Sequence, residues 1–366
     1  MTKYIICKPR GGLNDIFGLV TMSLKYAIRF NRILVIDTRK SLHFKDDFFK
    51  YFDINNANKH IYTSNIDTLY NSIQNCTLFA ANTITTTPRN KQHINYNDFD
   101  PFKHNIRIID LNTDYPEDVI LYGSNNANLT KDIIYFFKNF NLTPMVLNHL
   151  KNRINIMPNQ YISVHIRNTD YKSNVILFIK NNYSQLKNKH IFLATDDPNS
   201  IELFKTHFTP SHIYTFFQFP KSNKKYYNRA ESGIHFNIRN NNEHKIFNID
   251  TLIDIILLAN STKYLYSCEQ SGFSQGVKML FDEKHIIQNI IMLCNQLHNK
   301  MTNRITPFRN EDVKLTAHFP LISLPEGGIL NKKRCKRMNL IDTKNVHVNS
   351  LISLDNHKMV IRPMKI

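Results

Sequence analysis

Tyr161-Ile162-Ser163-Val164-His165-Ile166-Arg167-Asn168-Thr169-Asp170 is the stretch on which the fold reading turns. Tyr161 to Ile166 is a short, largely apolar and β-branched run of the kind that forms a strand buried on both faces of a parallel sheet. The polar residues that follow leave its C-terminal end. In open α/β sheets ligands bind outside the carboxyl ends of the strands, so an arginine at that position faces a crevice. Towards the C-terminus the pattern predicts a helix from about Asn174 to Leu186 and a strand from His190 to Ala194. A helix then opens at Asp196-Asp197-Pro198, and Asp250 to Ala259 reads as helix, Tyr264 to Ser267 as strand and Ser271 as the start of another helix. Pro220 to Lys245, rich in Asn and Lys, reads as a long functional loop or an insertion.

Towards the N-terminus the same alternation appears. Tyr4 to Cys7 predicts a strand that ends at Pro9 and Gly11-Gly12. Phe17, Val20, Leu24 and Ala27, spaced by three and four, predict an amphipathic helix from Asn14, and Ile33 to Ile36 a second buried strand. Strands at Ile106 to Leu111 and Val119 to Tyr122, and helices from about Thr130 to Phe140 and Pro144 to Ile154, close this first series. Strand and helix alternate in both halves, which predicts two doubly wound α/β domains, 1–155 and 156–300, followed by an extension over 301–366. At 366 residues the chain is long enough for two domains of ordinary size.

Forty-seven basic against 29 acidic side chains give +18, which favours an anionic partner: nucleic acid, anionic lipid or a phosphorylated small molecule. The 301–366 extension carries 12 basic and five acidic residues, hence +7, including Lys332-Lys333-Arg334-Cys335-Lys336-Arg337. It reads as a solvated surface or as a binding or localisation patch. No aromatic residue interleaves with that run as base stacking requires. The five cysteines, Cys7, Cys76, Cys268, Cys294 and Cys335, contain no C-x-x-C pair, so neither a zinc cage nor a dense disulfide framework is indicated and a reducing compartment is the simplest reading. Met1 to Cys7 runs straight into a strand without the pattern of a signal peptide, and no apolar stretch approaches the roughly 18 residues that cross a bilayer. These features predict a cytoplasmic protein, with peripheral membrane association left open.

Candidate chemistry gathers at strand ends. Of nine glycines, Gly11, Gly12 and Gly18 fall in the first strand-to-helix turn, where Gly-Gly-Leu-Asn-Asp lets a ligand approach the backbone and the unpaired N–H groups of a helix. The alternative is a tight turn capped by Asn14 or Asp15. It is not a dinucleotide fingerprint, because Gly-x-Gly-x-x-Gly is absent. Arg167 offers a fixed fork of donors that matches a diphosphate; paired with Asp170 on the surface it would be structural, with His165 a core residue. Asp197 and Pro198 are explained equally by helix capping. Asp254, among Ile253, Ile255, Ile256, Leu257 and Leu258, either meets a partner or shares a wet face with Asp250. Ser267-Cys268-Glu269-Gln270-Ser271-Gly272-Phe273-Ser274 follows a strand and opens a helix, where hydroxyls and N–H groups hold phosphate or Ser271 simply caps.

In their order, Gly11 to Gly18, His165 to Asp170, Ala194 to Pro198 and Asp254 to Ser274 resemble the motifs of the GDP-fucose-dependent fucosyltransferases. That group includes the α1,2-, α1,6- and protein O-fucosyltransferases and the nodulation fucosyltransferase. The resemblance spans roughly residues 3 to 282, and its strongest element, His-Ile-Arg-Asn-Thr-Asp, is close to the family's H-x-R-x-T-D. It implies a GT-B-like enzyme, two Rossmann-like domains facing a cleft, with GDP-fucose on the second lobe and an acceptor between the lobes. Arg167 would contact the donor diphosphate, with His165 and Asp170 in the same motif. Asp196 and Asp197 would support the donor pocket, Asp254 would lie near the guanine, and Ser271, Gly272, Phe273 and Ser274 would form a phosphate-binding loop. Gly11, Gly12 and Asn14 would face the sugar and acceptor.

The resemblance implies an inverting, metal-independent transfer of fucose to a hydroxyl of a glycan or glycoprotein, with no cofactor beyond the donor. Some relatives place a glutamate a few residues beyond H-x-R; this chain reads Tyr171-Lys172-Ser173-Asn174-Val175. Asp15, beside Asn14 at the expected crevice, is the substitute candidate for the base, and His235 a weaker one. The alternatives are a transferase of another nucleotide sugar, an inactive sugar-binding relative, and a non-catalytic basic protein that binds nucleic acid.

Overall fold

The computed structural model describes residues 2–9, 12–41, 44–55, 58–81, 110–123, 132–168, 173–219, 241–303, 350–355 and 358–363. The chain divides into two compact units, Met1–Asn303 and Arg304–Ile366. In the second, β11 (Ser350–Asp355) and β12 (Lys358–Pro363) pair as an antiparallel hairpin. No helix among the described residues is long and apolar enough to cross a membrane.

The first unit is α/β with two parallel four-stranded sheets. The first sheet contains β1 (Tyr4–Cys7), β2 (Ile33–Ile36), β4 (Leu78–Ala81) and β5 (Val119–Tyr122) in the order β2-β1-β5-β4. The sequences YIIC, ILVI and VILY are continuous apolar runs because both faces are covered. On one face Ile5, Cys7, Leu34, Ile36, Ile120 and Tyr122 meet α1 (Leu13–Arg29); on the other Ile6, Val35, Val119 and Leu121 meet α2 (Ile66–Ser72). The second sheet orders β10 (Lys263–Tyr266), β7 (Ile162–Ile166), β8 (Ile191–Thr195) and β9 (Ile213–Tyr214) as β10-β7-β8-β9. Ile162, Val164, Ile166, Ile191 and Leu193 pack on α5 (Val175–Leu186) and α6 (Pro198–His207). The opposite face, with Ser163, His165, Phe192 and Ala194, turns to α7 (Asn241–Asn260) and α8 (Gly272–Asp282), as the period of two in a strand dictates.

One apolar core spans the inner faces of both sheets. It is filled by α1, α3 (Asp132–Asn139), α4 (Pro144–Ile154), α7, α8 and α9 (Lys284–Asn303). Helix α8 belongs by chain order to the second sheet but packs on α1 and α3 as well. The anchor of that junction is aromatic. Phe136 on α3 stacks on Phe140 at 4.8 Å and lies 4.5 Å from Phe17 of α1, with Phe48, Phe52 and Phe137 around it. A short antiparallel pair, β3 (Phe52–Ile54) with β6 (Phe140–Leu142), holds Phe52 and Phe140 in place.

Several elements differ from the sequence reading. Gly18 lies inside α1 and not in the turn before it. The strand expected from Ile106 falls outside the described residues except for Asp110 and Leu111, which lie at a turn. Helix α7 starts at Asn241, nine residues before the expected Asp250, because its inner face carries His244 and Asn248, polar side chains that hide the apolar period; Asn248 Nδ2 donates to the Phe44 carbonyl at 2.8 Å. Residues 220–240 of the expected loop lie outside the described residues. Cys7, Cys76, Cys268 and Cys294 are free thiols.

Phe136 is fully buried between α3 and α1, so Phe136→Ala should destabilise the first unit by about 3–5 kcal/mol. The midpoint of a guanidinium chloride titration followed by circular dichroism checks this.

Candidate active site

Both sheets have a switch in strand order, where chain connections leave in opposite directions and open a crevice at the strand ends. In the second sheet the switch lies at β7, flanked by β8 and β10. His165 of β7 pairs in register with Ala194 of β8 and Tyr266 of β10, so the residues just beyond, Arg167, Asp196 and Ser267, emerge side by side.

The main chain of Arg167 is fixed on both sides: its N–H donates to Ser267 Oγ at 3.1 Å and its carbonyl accepts from Ser173 Oγ at 2.6 Å. The two hydroxyls also meet each other at 2.7 Å. Its guanidinium, with the side chain 25% exposed, pairs through Nη1 with Asp196 Oδ2 at 3.0 Å. Asp170, the partner weighed from the sequence, lies outside the described residues, as do Gly11 and His235. Asp196 also accepts the Asn168 N–H at 2.7 Å. Asp197 caps α6, accepting from the Asn199 N–H at 3.0 Å and the Ser200 hydroxyl at 2.9 Å, and takes the Asn168 side-chain amide at 2.7 Å. Pro198 occupies the first turn of α6 as expected of a helix start.

His165 is buried, with Nδ1 2.7 Å from Ser274 Oγ and its ring against Phe273, centroids 4.6 Å apart. Burial, and after it the charge of Arg167, pushes its pKa down to about 3, so the imidazole is neutral. Ser271 caps α8, its Oγ accepting from the Ser274 N–H at 3.4 Å. A helix N-terminus carries unpaired N–H donors and an arginine a fixed positive charge, and both kinds of group occur at the strand ends of this sheet, as an anion site requires.

The first turn of α1 reaches the same helix end. Gly12 is the N-cap, with ordinary extended angles of φ −68° and ψ 179°, and its N–H donates to Asp15 Oδ2 at 2.8 Å. A Cβ at Gly12 would meet nothing closer than that carboxylate, at 4.0 Å. The glycine leaves open space there and is not demanded by the backbone. Burial, opposed by the Gly12 bond, raises the pKa of Asp15. Asn14 points across to α8, where a Cβ at Gly272 would lie 3.0 Å from its Nδ2 and one at Gly276 only 2.7 Å from its Oδ1. Two glycines one helical turn apart make the groove in which the Asn14 amide sits. Its Oδ1 is buried without a hydrogen-bond partner.

Asp254 stands apart from this group, in a charged cluster. The wet face weighed for Asp250 and Asp254 is not found: they are 1% and 5% exposed, on the inner side of α7. Asp250 pairs with Arg153 of α4 and accepts the Gln218 N–H at 2.9 Å. Phe216 lies under the Arg153 guanidinium at 5.5 Å. Burial first, then the negative charge of Asp250, raises the pKa of Asp254 well above the carboxylate range, and Arg153 opposes them. Asp254 Oδ1 and Arg153 Nη1 are both buried without partners. Ser267 belongs to the hydroxyl-rich stretch read from the sequence, but it holds the Arg167 backbone; Arg153 and Ser173 carry no local signal, since they meet Asp250 and Ser267 at more than 90 residues' distance along the chain.

Fold and crevice together define an α/β protein with an arginine and a helix N-terminus at the carboxyl ends of the parallel strands of its second sheet. No family model and no curated protein sequence matches the chain. Solved structures do. One is NodZ alpha-1,6-fucosyltransferase co-crystallized with GDP, 17% identical over 76% of this chain and 93% of that one, with a TM-score of 0.51. Another is fucosyltransferase NodZ from Bradyrhizobium, 18% identical over 76% and 94%, also with a TM-score of 0.51. The chain has the fold of these fucosyltransferases. Among the described residues no group of three or more His, Cys, Asp or Glu side chains is placed to hold a metal ion.

Two predictions follow from packing and burial. Gly276→Ala should expel the Asn14 side chain and cost about 1–3 kcal/mol, whereas Gly12→Ala, with room for its methyl, should cost less; thermal melts of the two variants compare them. A carboxyl with a raised folded pKa binds its proton more tightly in the native state. Its contribution therefore falls as pH rises from about 4 through the folded pKa. Asp254→Asn should remove that slope, gaining more stability relative to wild type at about pH 8 than at about pH 5 in urea titrations.

Proposed function

We propose that the chain is a fucosyltransferase that moves fucose from GDP-fucose to a hydroxyl of a glycan or glycoprotein. In this reading residues 1–155 form the acceptor-side lobe and 156–300 the donor lobe of a GT-B-like enzyme, with 301–366 a basic C-terminal extension. The observation that carries it is the place of Arg167. It lies at the switch point of the second sheet, two residues after His165, which contacts the first turn of α8, in a fold shared with a NodZ structure co-crystallized with GDP.

The chemistry asks for such a group. As the bond from fucose C1 to the β-phosphate oxygen breaks, positive charge grows on the sugar ring and negative charge on the departing GDP. Arg167 and the N–H groups at the start of α8 meet the latter in place of a metal ion. Asp196 and the serines at 173 and 267 keep the guanidinium and its backbone from having to reorganise during the reaction. Asp254 and Arg153, each with a buried polar atom lacking a partner, suit the edge of the purine. The acceptor oxygen attacks C1 from the face opposite the diphosphate, which inverts its configuration. The proton passes to a base, for which Asp15 is the candidate: its raised pKa makes it a better proton acceptor than an ordinary surface carboxylate. Asn14 at the same turn is placed to orient the sugar or the acceptor.

Arg167→Ala should lower transfer or hydrolysis of GDP-fucose by about two to three orders of magnitude while the protein stays folded. A GDP-release assay over a panel of GDP-, UDP- and ADP-sugars measures this together with donor choice. Wild-type turnover strongest on GDP-fucose supports the reading, and an unimpaired Arg167→Ala enzyme contradicts it. Asp15→Asn should lower transfer about 10²- to 10⁴-fold if Asp15 is the base.

A further inference from the structure

Ser274 is fully buried in the first turn of α8, and each of its polar groups has a protein partner. Its N–H donates to Ser271 Oγ at 3.4 Å, its carbonyl accepts from the Tyr264 hydroxyl at 3.3 Å, and its own hydroxyl lies 2.7 Å from His165 Nδ1. A buried hydroxyl must give its proton to an acceptor, and that ring nitrogen is the nearest one. With Nδ1 accepting, a neutral imidazole carries its single proton on Nε2. Phe273, tilted 42° against the ring, restricts the plane in which that N–H lies.

We infer that Ser274 is a positioning residue. It fixes His165 as the Nε2–H tautomer and so turns an N–H, beside the Arg167 guanidinium, towards the departing anion, without touching the anion itself. The inference rests on the donor-site reading above. The tautomer matters because the alternatives are unfavourable there. A ring protonated on both nitrogens would add a second positive charge next to Arg167, and a ring protonated on Nδ1 would aim a lone pair at a phosphate oxygen. A neutral donor adds a hydrogen bond without competing with Arg167 for Asp196.

Nitrogen-resolved NMR of His165 in the free wild-type protein tests the tautomer without depending on nucleotide. The expected spectrum has the proton on Nε2 and does not titrate between about pH 5 and 8. Calorimetry with GDP tests the consequence. Ser274→Ala should bind GDP about tenfold more weakly. His165→Gln, whose amide nitrogen stands near the place of Nε2, should lose less. The double variant should bind no more weakly than His165→Gln alone, because Ser274 acts only through the ring. A wild-type ring protonated on Nδ1, or losses that multiply in the double variant, overturns the positioning role. Failure of the wild type to bind GDP at all overturns the donor-site reading instead, and the spectrum still decides the tautomer.

Discussion

A guanidinium held at the carboxyl end of a buried parallel strand is the constraint around which the second sheet is arranged. Arg167 cannot lose its charge, so its surroundings must supply a counter-charge and leave room for a ligand. Asp196 supplies the first, at 3.0 Å. The Ser173 and Ser267 hydroxyls hold the backbone on either side, which fixes where the side chain leaves the strand end. His165, two residues earlier, stays neutral because it is buried beside that charge. In the proposed donor site such a group would be preorganised for an anion, and a net charge of +18 favours the approach of anionic ligands.

The second sheet does not pack alone. The first turn of α1 reaches it because α8 is shaved by Gly272 and Gly276, so that Asn14 lies against the helix at a distance no Cβ would permit. Ile133 of α3 closes the same groove, and the Phe17–Phe136 contact holds α3 on α1. The junction is thus built from a small-residue groove on one helix and an aromatic cluster on two others. Its packing couples the first turn of α1, which carries Asp15, to the helix end that carries Ser271. The Asn14 side-chain oxygen in this groove and, apart from it on α7, the raised Asp254 carboxyl are both buried polar groups without a hydrogen-bond partner, which destabilise the free protein.

Much of the sheet framework was legible in the sequence. The limits of β1, β2, β5 and α4 agree residue for residue with the apolar runs, because strands buried on both faces and a helix opened by Pro144 leave strong local signals. Other elements were not: β3 and β6 span three residues each, β4 (Leu-Phe-Ala-Ala) has no β-branched residue, and α7 hides its inner face behind His244 and Asn248. In the site, the clustering of polar residues at strand ends could be read, since it follows from chain order in an α/β sheet. Partners could not. That Arg167 pairs with Asp196, that Ser274 bonds His165, and that Asp250 pairs with Arg153 depends on which strands and helices lie side by side, information that exists only once the sheet order β10-β7-β8-β9 is known.

A crystal structure of the protein with GDP bound bears most directly on Arg167. The predicted result places diphosphate oxygens within about 2.7–3.2 Å of the Arg167 guanidinium and of the first N–H groups of α8. A diphosphate bound elsewhere, with Arg167 turned to solvent, would contradict a donor site at the end of β7.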